Sequence, residues 1–262
     1  MTRAGFLAAG PLGGLLAPWA ALFFLARRPR LWGWAAAPFA INTGLFALFF
    51  WFSYTRFGNW LKAFLPEDQA WGWQILFYLL AALFILLLLA LEIYLFALVG
   101  RVIAAPFLEH LTYKVEMELG AKPEELARFG LGQGMLRVLA QEAKKLFLYI
   151  TLMLFLLLFN LLPGAGSAIY AALAFVLTCF FLALDFLDYP LERRGLSLGA
   201  KLKYVGRLKL TGLSFGAAVL ALGVVPVVNL GLLPLAAVGG TLLFWERKRP
   251  GRLPPGAKNG DS

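Results

Sequence analysis

Few side chains in this sequence could do covalent chemistry. His110 and Cys179 are its only histidine and cysteine. A zinc-type site draws three or four ligands from imidazole, thiolate and carboxylate, so no metal is expected. The Ser–His and Cys–His pairings of nucleophilic catalysis have no candidate, because His110 falls in an amphipathic helical stretch and Cys179 in an apolar run. A lone cysteine cannot close an internal disulfide, so nothing points to an oxidising compartment. Asp185 and Asp188 lie three apart, on one helical face. They could form an acid–base pair, or they could cap the end of an apolar segment and pair with Arg193 or Arg194. Glu92 lies near the charged end of another apolar run. It is either an ionisable group at membrane depth, and then a gating candidate, or a carboxylate already in the interface. No nucleotide motif occurs, so direct ATP use, a cofactor and enzymatic catalysis are not expected.

Backbone groups offer a different chemistry. Pro163-Gly164-Ala165-Gly166 interrupts one apolar stretch, and Ser167 after it is a good N-cap. Residues 226–234 interrupt another, with Asn229 and Gly231 inside the break and Pro234 suited to the first turn of the next helix. Each break offers unpaired N–H groups and a positive dipole end in apolar surroundings, which favours an anion. Helices broken near the bilayer midplane recur in transporters. Tight turns in a packed bundle are the plainer alternative.

The elements that carry these groups belong to a membrane. Of 262 residues 61% are hydrophobic, well above the roughly 45–50% of soluble domains. The net charge of +10 implies contact with anionic headgroups. No groove-reading motif supports nucleic acid as a partner. Residues 4–26 are broken by Gly10, Pro11, Gly13, Gly14 and Pro18; a signal peptide is one reading, a short interfacial helix the other. Residues 31–55 and 71–103 predict two long transmembrane helices, joined by a loop at 56–70, with Pro38 kinking the first. Ala105-Pro106-Phe107 is expected to break the second. Leu108, Leu111, Val115 and Leu119 then follow at helical spacing, with Glu109, Lys114, Glu116 and Glu118 opposite, and Gly120 to Pro123 ends that helix. A further amphipathic helix begins near Gly132.

Two hairpins follow, with legs at 146–162 and 167–187, then at 213–225 and 235–245. The legs of the second are too short to cross, so it is expected to re-enter. The fold class is therefore an all-α integral membrane protein: two long transmembrane helices, two re-entrant or short helical hairpins, and cytoplasmic amphipathic helices at about 104–145 and 188–210. Residues 1–245 form one membrane domain and 246–262 a basic disordered tail. Nearly all Lys and Arg fall on one face, which the positive-inside rule assigns to the cytoplasm, with both termini.

Six ordered motifs carry a family resemblance across residues 29 to 245. They are Ala105-Pro106-Phe107 with Val115-Glu116 and Leu119; Glu142 with Lys145; Pro163-Gly164-Ala165-Gly166; Asp188-Tyr189-Pro190; Phe215-Gly216-Ala217; and Pro226 with Asn229, Pro234, Gly239 and Thr241. The chain resembles the CysZ family of bacterial sulfate permeases, part of a superfamily with an etoposide-induced membrane protein of animals. The resemblance implies sulfate uptake for cysteine synthesis at the bacterial inner membrane, re-entrant hairpins and a homo-oligomer. It also associates a Gly-Ile/Leu-Arg element before the first span with sulfate. Here Arg30 stands in the Gly position and Trp32 in the Arg position, the basic residues having moved upstream to Arg27, Arg28 and Arg30.

The substrate-binding candidates are thus Arg27, Arg28 and Arg30 at the mouth, with Gly164, Gly166, Ser167, Asn229 and Gly231 deeper in. Structural or gating candidates are Glu92, Pro106, Glu142, Lys145, Asp188 and Arg193. The expected partners are sulfate or a related anion, membrane lipids and further copies of the chain. The alternative function is a membrane-organising or assembly protein, with leaflet-inserted hairpins and a basic face for lipid or a partner.

Overall fold

A computed structural model describes residues 10–63, 71–123 and 133–248. These residues form helices and short connections, with no strand among them. Three described stretches are long and apolar enough to cross a bilayer: Pro29–Ser53, Ala140–Leu161 and Gly166–Glu192. A fourth is added if the bent pair Leu198–Leu208 and Leu210–Gly223 counts as one span. The chain divides into two compact units, residues 33–107 and the remainder.

The unit at 33–107 takes most of helix α2, Trp32–Ala63, and the first part of helix α3, Trp71–Glu118. Helix α2 runs past residue 55, so the expected loop at 56–70 is helical as far as Ala63, and 64–70 lie outside the described residues. Helix α3 is continuous through Pro106, where a break was expected. A proline costs a helix one hydrogen bond and some crowding. Apolar helices absorb that when neighbouring groups or small local adjustments satisfy the freed carbonyl. Trp34 and Phe107 hold their rings 6.3 Å apart. Leu48, Trp51, Leu79 and Leu86 turn outward, as a surface facing hydrocarbon would.

The other unit is built on helix α1, Pro11–Ala26. One face of this helix is packed, with Ala17, Ala21 and Phe24 completely buried, while Leu12, Leu15, Trp19 and Phe23 on the other face are exposed. Its small residues let two backbones come close. A Cβ on Gly14 would lie 2.0 Å from the Thr211 carbonyl oxygen, and one on Gly239 would lie 3.1 Å from that of Ala17. These contacts seat α1 on α7, Leu210–Gly223, and on α8, Pro226–Lys248. Helix α5, Gly166–Glu192, packs on the same two helices, with Gly216 against the Cys179 carbonyl and Gly240 against that of Phe186. Helix α4, Gln133–Leu157, lies along α5 with its outer face exposed; the expected start near Gly132 lies outside the described residues.

The hairpins differ from expectation in their ends. The first turns at residues 162–165, with Gly164 at φ 83°. Its legs are apolar over Ala140–Leu161 and Gly166–Glu192, so each is long enough to cross and neither is forced to re-enter. Ser167 does not cap α5, which begins at Gly166 after Ala165 and has no side-chain cap. In the second hairpin the break is only Val224–Val225, and α8 starts at Pro226. Asn229, Gly231 and Pro234 therefore sit inside α8 and not at a helix end. Pro226, not Pro234, takes the first helical position, where its missing N–H goes unneeded. Helix α8 also runs through Lys248, three residues into the expected tail; the rest of the tail lies outside the described residues. Helix α6, Leu198–Leu208, meets α7 at 96°, with Lys209 at the corner.

Candidate functional site

The polar ends of α3, α4 and α5 and the amphipathic helix α6 meet in a layer of ion pairs. Lys145 on α4 is buried and lies 2.7 Å from Glu142, 2.8 Å from Asp185 and 3.6 Å from Asp188. Lys201 on α6 is 2% exposed and pairs with Asp188 and Glu192. Asp188 thus bridges two lysines. Asp185 and Asp188 are neither an acid–base pair nor partners of Arg193 or Arg194. Two buried lysines from other helices claim them, because the turn of α5 that carries them faces α4 on one side and α6 on the other.

A second group joins the end of α3 to the end of α5. Arg193 reaches the Glu109 carboxylate at 2.5 Å and its backbone carbonyl at 3.2 Å. Its Nε lies 3.5 Å from Glu116. Arg194 lies 3.1 Å from the other oxygen of Glu116, and its guanidinium covers the Phe244 ring at 4.2 Å. Glu116, expected on a solvent face, is fully buried. Glu109 and Glu116 lie seven apart on nearly one face of α3; Glu116 is buried because Arg193 and Arg194 close over it, so two guanidiniums replace water. Helical periodicity puts acids opposite an apolar stripe; it does not show an acid at the stripe's edge facing arginines nearly eighty residues later. Arg193 Nη2 is buried and has no hydrogen-bond partner among the described residues. Desolvation, with Lys114 one turn away, lowers the His110 imidazole below its usual value.

The expected anion mouth divides in two. Arg28 is already occupied. It pairs with Glu118, donates to the Phe24 carbonyl at 3.3 Å and lies 3.7 Å over the Phe24 ring. Trp32, in the position where the resemblance expects an arginine, donates its indole N–H to the Leu25 carbonyl at 2.8 Å. It ties the start of α2 to the end of α1. Arg27 and Arg30 are exposed and make no ion pair among the described residues. Of the deeper candidates, Gly164, Gly166 and Ser167 lie together at the first tip. Gly231 lies exposed in α8; Asn229 is helical, with its side chain outside the described residues, as is that of Glu92 in α3.

In these ion pairs seven carboxylates meet five cations, Arg28, Lys145, Arg193, Arg194 and Lys201. This paired network therefore has an excess of carboxylates, while Lys144, Lys203, Arg207 and Lys209 lie outside it. It suits a clamp between helix ends better than a seat for a dianion, and it leaves Arg27 and Arg30 as the cations with charge to spare beside α2. Residues 17–234, from the middle of α1 into α8, match the family model described as sulfate transporter CysZ/etoposide-induced protein 2.4. The chain belongs to this family. A sulfate transporter CysZ of Pectobacterium atrosepticum is 29% identical over 213 residues, covering 81% of this chain and 77% of that protein. The match takes in both groups of ion pairs, the first hairpin and the arginine cluster, so a CysZ-family fold here includes the whole polar layer.

Proposed function

We propose that this multi-pass membrane protein is a permease or channel for sulfate or a similar small oxyanion, at the bacterial inner membrane, supplying sulfur for cysteine synthesis. The observation that carries this reading is membership of the CysZ family along nearly the whole helical region, with a sulfate transporter as a relative of similar extent. The apolar spans provide the membrane setting. The positive-inside rule puts the basic layer and the termini in the cytoplasm. Exposed apolar faces on α2 and α4 suit lipid contact and packing of further copies in a homo-oligomer.

Sulfate carries two charges and holds its water strongly, so it needs substitutes for that water at every step. Arg27 and Arg30 collect it by charge-assisted hydrogen bonds. Arg28 serves as their anchor: its pairing with Glu118 fixes the short turn Pro29–Leu31 against the end of α3. Deeper in, the free N–H groups at the start of α5, beside Gly164 and Gly166, offer further donors. Each charged hydrogen bond is worth about 1.5–3 kcal/mol, or roughly tenfold or more in affinity.

Uptake of labelled sulfate into proteoliposomes tests the reading. The parent protein moves sulfate, and Arg27→Ala with Arg30→Ala lowers binding by about tenfold or more while the fold persists, since both groups are exposed. Absence of flux from the well-folded parent would reject the permease reading in favour of a membrane-organising role.

A further inference from the structure

A groove of about 280 Å³ opens between α4, α5 and α7. Every side chain that lines it is apolar, among them Leu152, Phe155, Val176, Phe180 and Leu213. It lies within the apolar stretches of α4 and α5, so its mouth faces hydrocarbon. Its upper end is close to the polar layer along all three helices. Leu213 is one turn from Lys209, Phe180 is five residues from Asp185, and Leu152 is seven from Lys145. At 1.5 Å per residue these separations place the groove about 6–11 Å below the charges. That is the depth at which a phospholipid passes from headgroup to chain.

The charges above it favour one kind of occupant. Lys145 and Lys201 are buried and offset two of the four carboxylates they meet, Glu142, Asp185, Asp188 and Glu192, which the four further cations on the same helix ends outweigh. Lys144, Lys203, Arg207 and Lys209 are exposed or nearly so, and none makes an ion pair among the described residues. The 96° corner between α6 and α7 lays α6 across the end of α7, which is the attitude of a helix in the interface plane when α7 enters the bilayer. Lys209 forms that corner at φ 50°, in a backbone region where glycine would sit more easily. A second copy of this chain fits less well, because it would bring the same +10 charge to a cationic rim.

We propose that the α4–α5–α7 groove holds an acyl chain of an anionic phospholipid, whose phosphate is bound by Lys209 and Lys144 with Lys203 and Arg207 alongside. Basic pockets between membrane helices on the cytoplasmic side are known lipid sites. The site rests on the membrane placement of α4 and α5 and is independent of what the chain transports.

The test uses the full chain in phosphatidylcholine nanodiscs that contain a minor fraction of a photoactivatable lipid. The probe carries a diazirine in its acyl chain and either a phosphatidylglycerol or a phosphatidylcholine headgroup. After illumination the labelled peptides are located by mass spectrometry. The phosphatidylglycerol probe labels residues 152–156 and 173–180 about tenfold or more above the phosphatidylcholine probe, as expected from two cations at the surface. Lys144→Ala with Lys209→Ala brings the ratio close to one, while Leu213→Trp, which fills the groove, lowers labelling by both. Equal labelling of the parent by the two probes overturns the proposal, as does a groove that neither probe reaches. Both variants change surface or lipid-facing positions, and size-exclusion profiles matching the parent show that they fold.

Discussion

Glu116 is the most informative single residue to change. Its carboxylate is fully buried and faces Arg193, 3% exposed, and Arg194. Glu116→Ala leaves Arg194 with no carboxylate and Arg193 with only Glu109, whose side chain is 48% exposed. Removing one partner of a buried ion pair costs about 3–5 kcal/mol, most of it the uncompensated charge left behind. The cation–π contact to Phe244 offsets little of this. At about 2–4 °C per kcal/mol for a chain of this size, the midpoint of thermal unfolding should fall by about 6–20 °C. The measurement is the fraction of monodisperse protein left after heating in detergent. Glu109→Ala, at the exposed end of the same group, should cost about 1 kcal/mol or less by comparison. A triple change, Glu116→Leu with Arg193→Met and Arg194→Met, removes all the charges together and should restore most of the loss. If Glu116→Ala melts within about 2 °C of the parent, equivalent to less than 1 kcal/mol, the carboxylate does not hold the guanidiniums and the clamp reasoning fails.

Other outcomes follow from particular contacts. Gly216→Ala puts a Cβ 1.8 Å from the Cys179 carbonyl oxygen, so α5 and α7 must separate; a loss of about 1–3 kcal/mol or more is expected. Gly199→Ala meets nothing within 4 Å and should stabilise α6 by about 0.4–1 kcal/mol; equal effects from the two would show that close approach is not what α7 requires. Gly166→Leu drives a side chain into the Phe159 carbonyl, 2.0 Å from the added Cβ, and should abolish sulfate flux while leaving sulfate binding at Arg27 and Arg30; intact flux would remove the first hairpin tip from the path. In a Cys179→Ala background, Gly164→Cys should react with an impermeant thiol reagent added outside, because both legs of its hairpin are long enough to cross. Silence there, with labelling only after permeabilisation, would restore a re-entrant tip.

Much of the architecture was legible in residue patterns, and the failures have identifiable causes. The turn at Gly164 follows from local chemistry, a Pro-Gly pair between two apolar legs. Proline misleads in both directions: a break is expected at Pro106 and a helix start at Pro234, whereas both lie inside helices and Pro226 opens α8. Helix α1 is expected from the sequence but its packing is not, because glycine spacing does not show which backbone comes close to it. The site divided the same way. Basic residues at 27–30 are visible as a cluster, yet only coordinates show that Arg28 is taken by Glu118 while Arg27 and Arg30 are not. The lysines that organise Asp185 and Asp188 come from α4 and α6, and no spacing rule joins residues 145, 188 and 201.

The burial of α1 also bears on how the protein is made. The surfaces that receive Gly14, Ala17 and Ala21 belong to α7 and α8, which begin at residues 210 and 226. Some 180 residues must be synthesised after α1 before those partners exist. At about 5–20 residues per second that is a wait of roughly 10–40 s. During it an apolar helix of 16 residues, too short to cross a bilayer alone, has to be sheltered at the membrane surface or in the insertion machinery. The last helices therefore act as the latch of assembly, and a ribosome that stalls before residue 210 leaves behind a chain whose first helix has nowhere to dock.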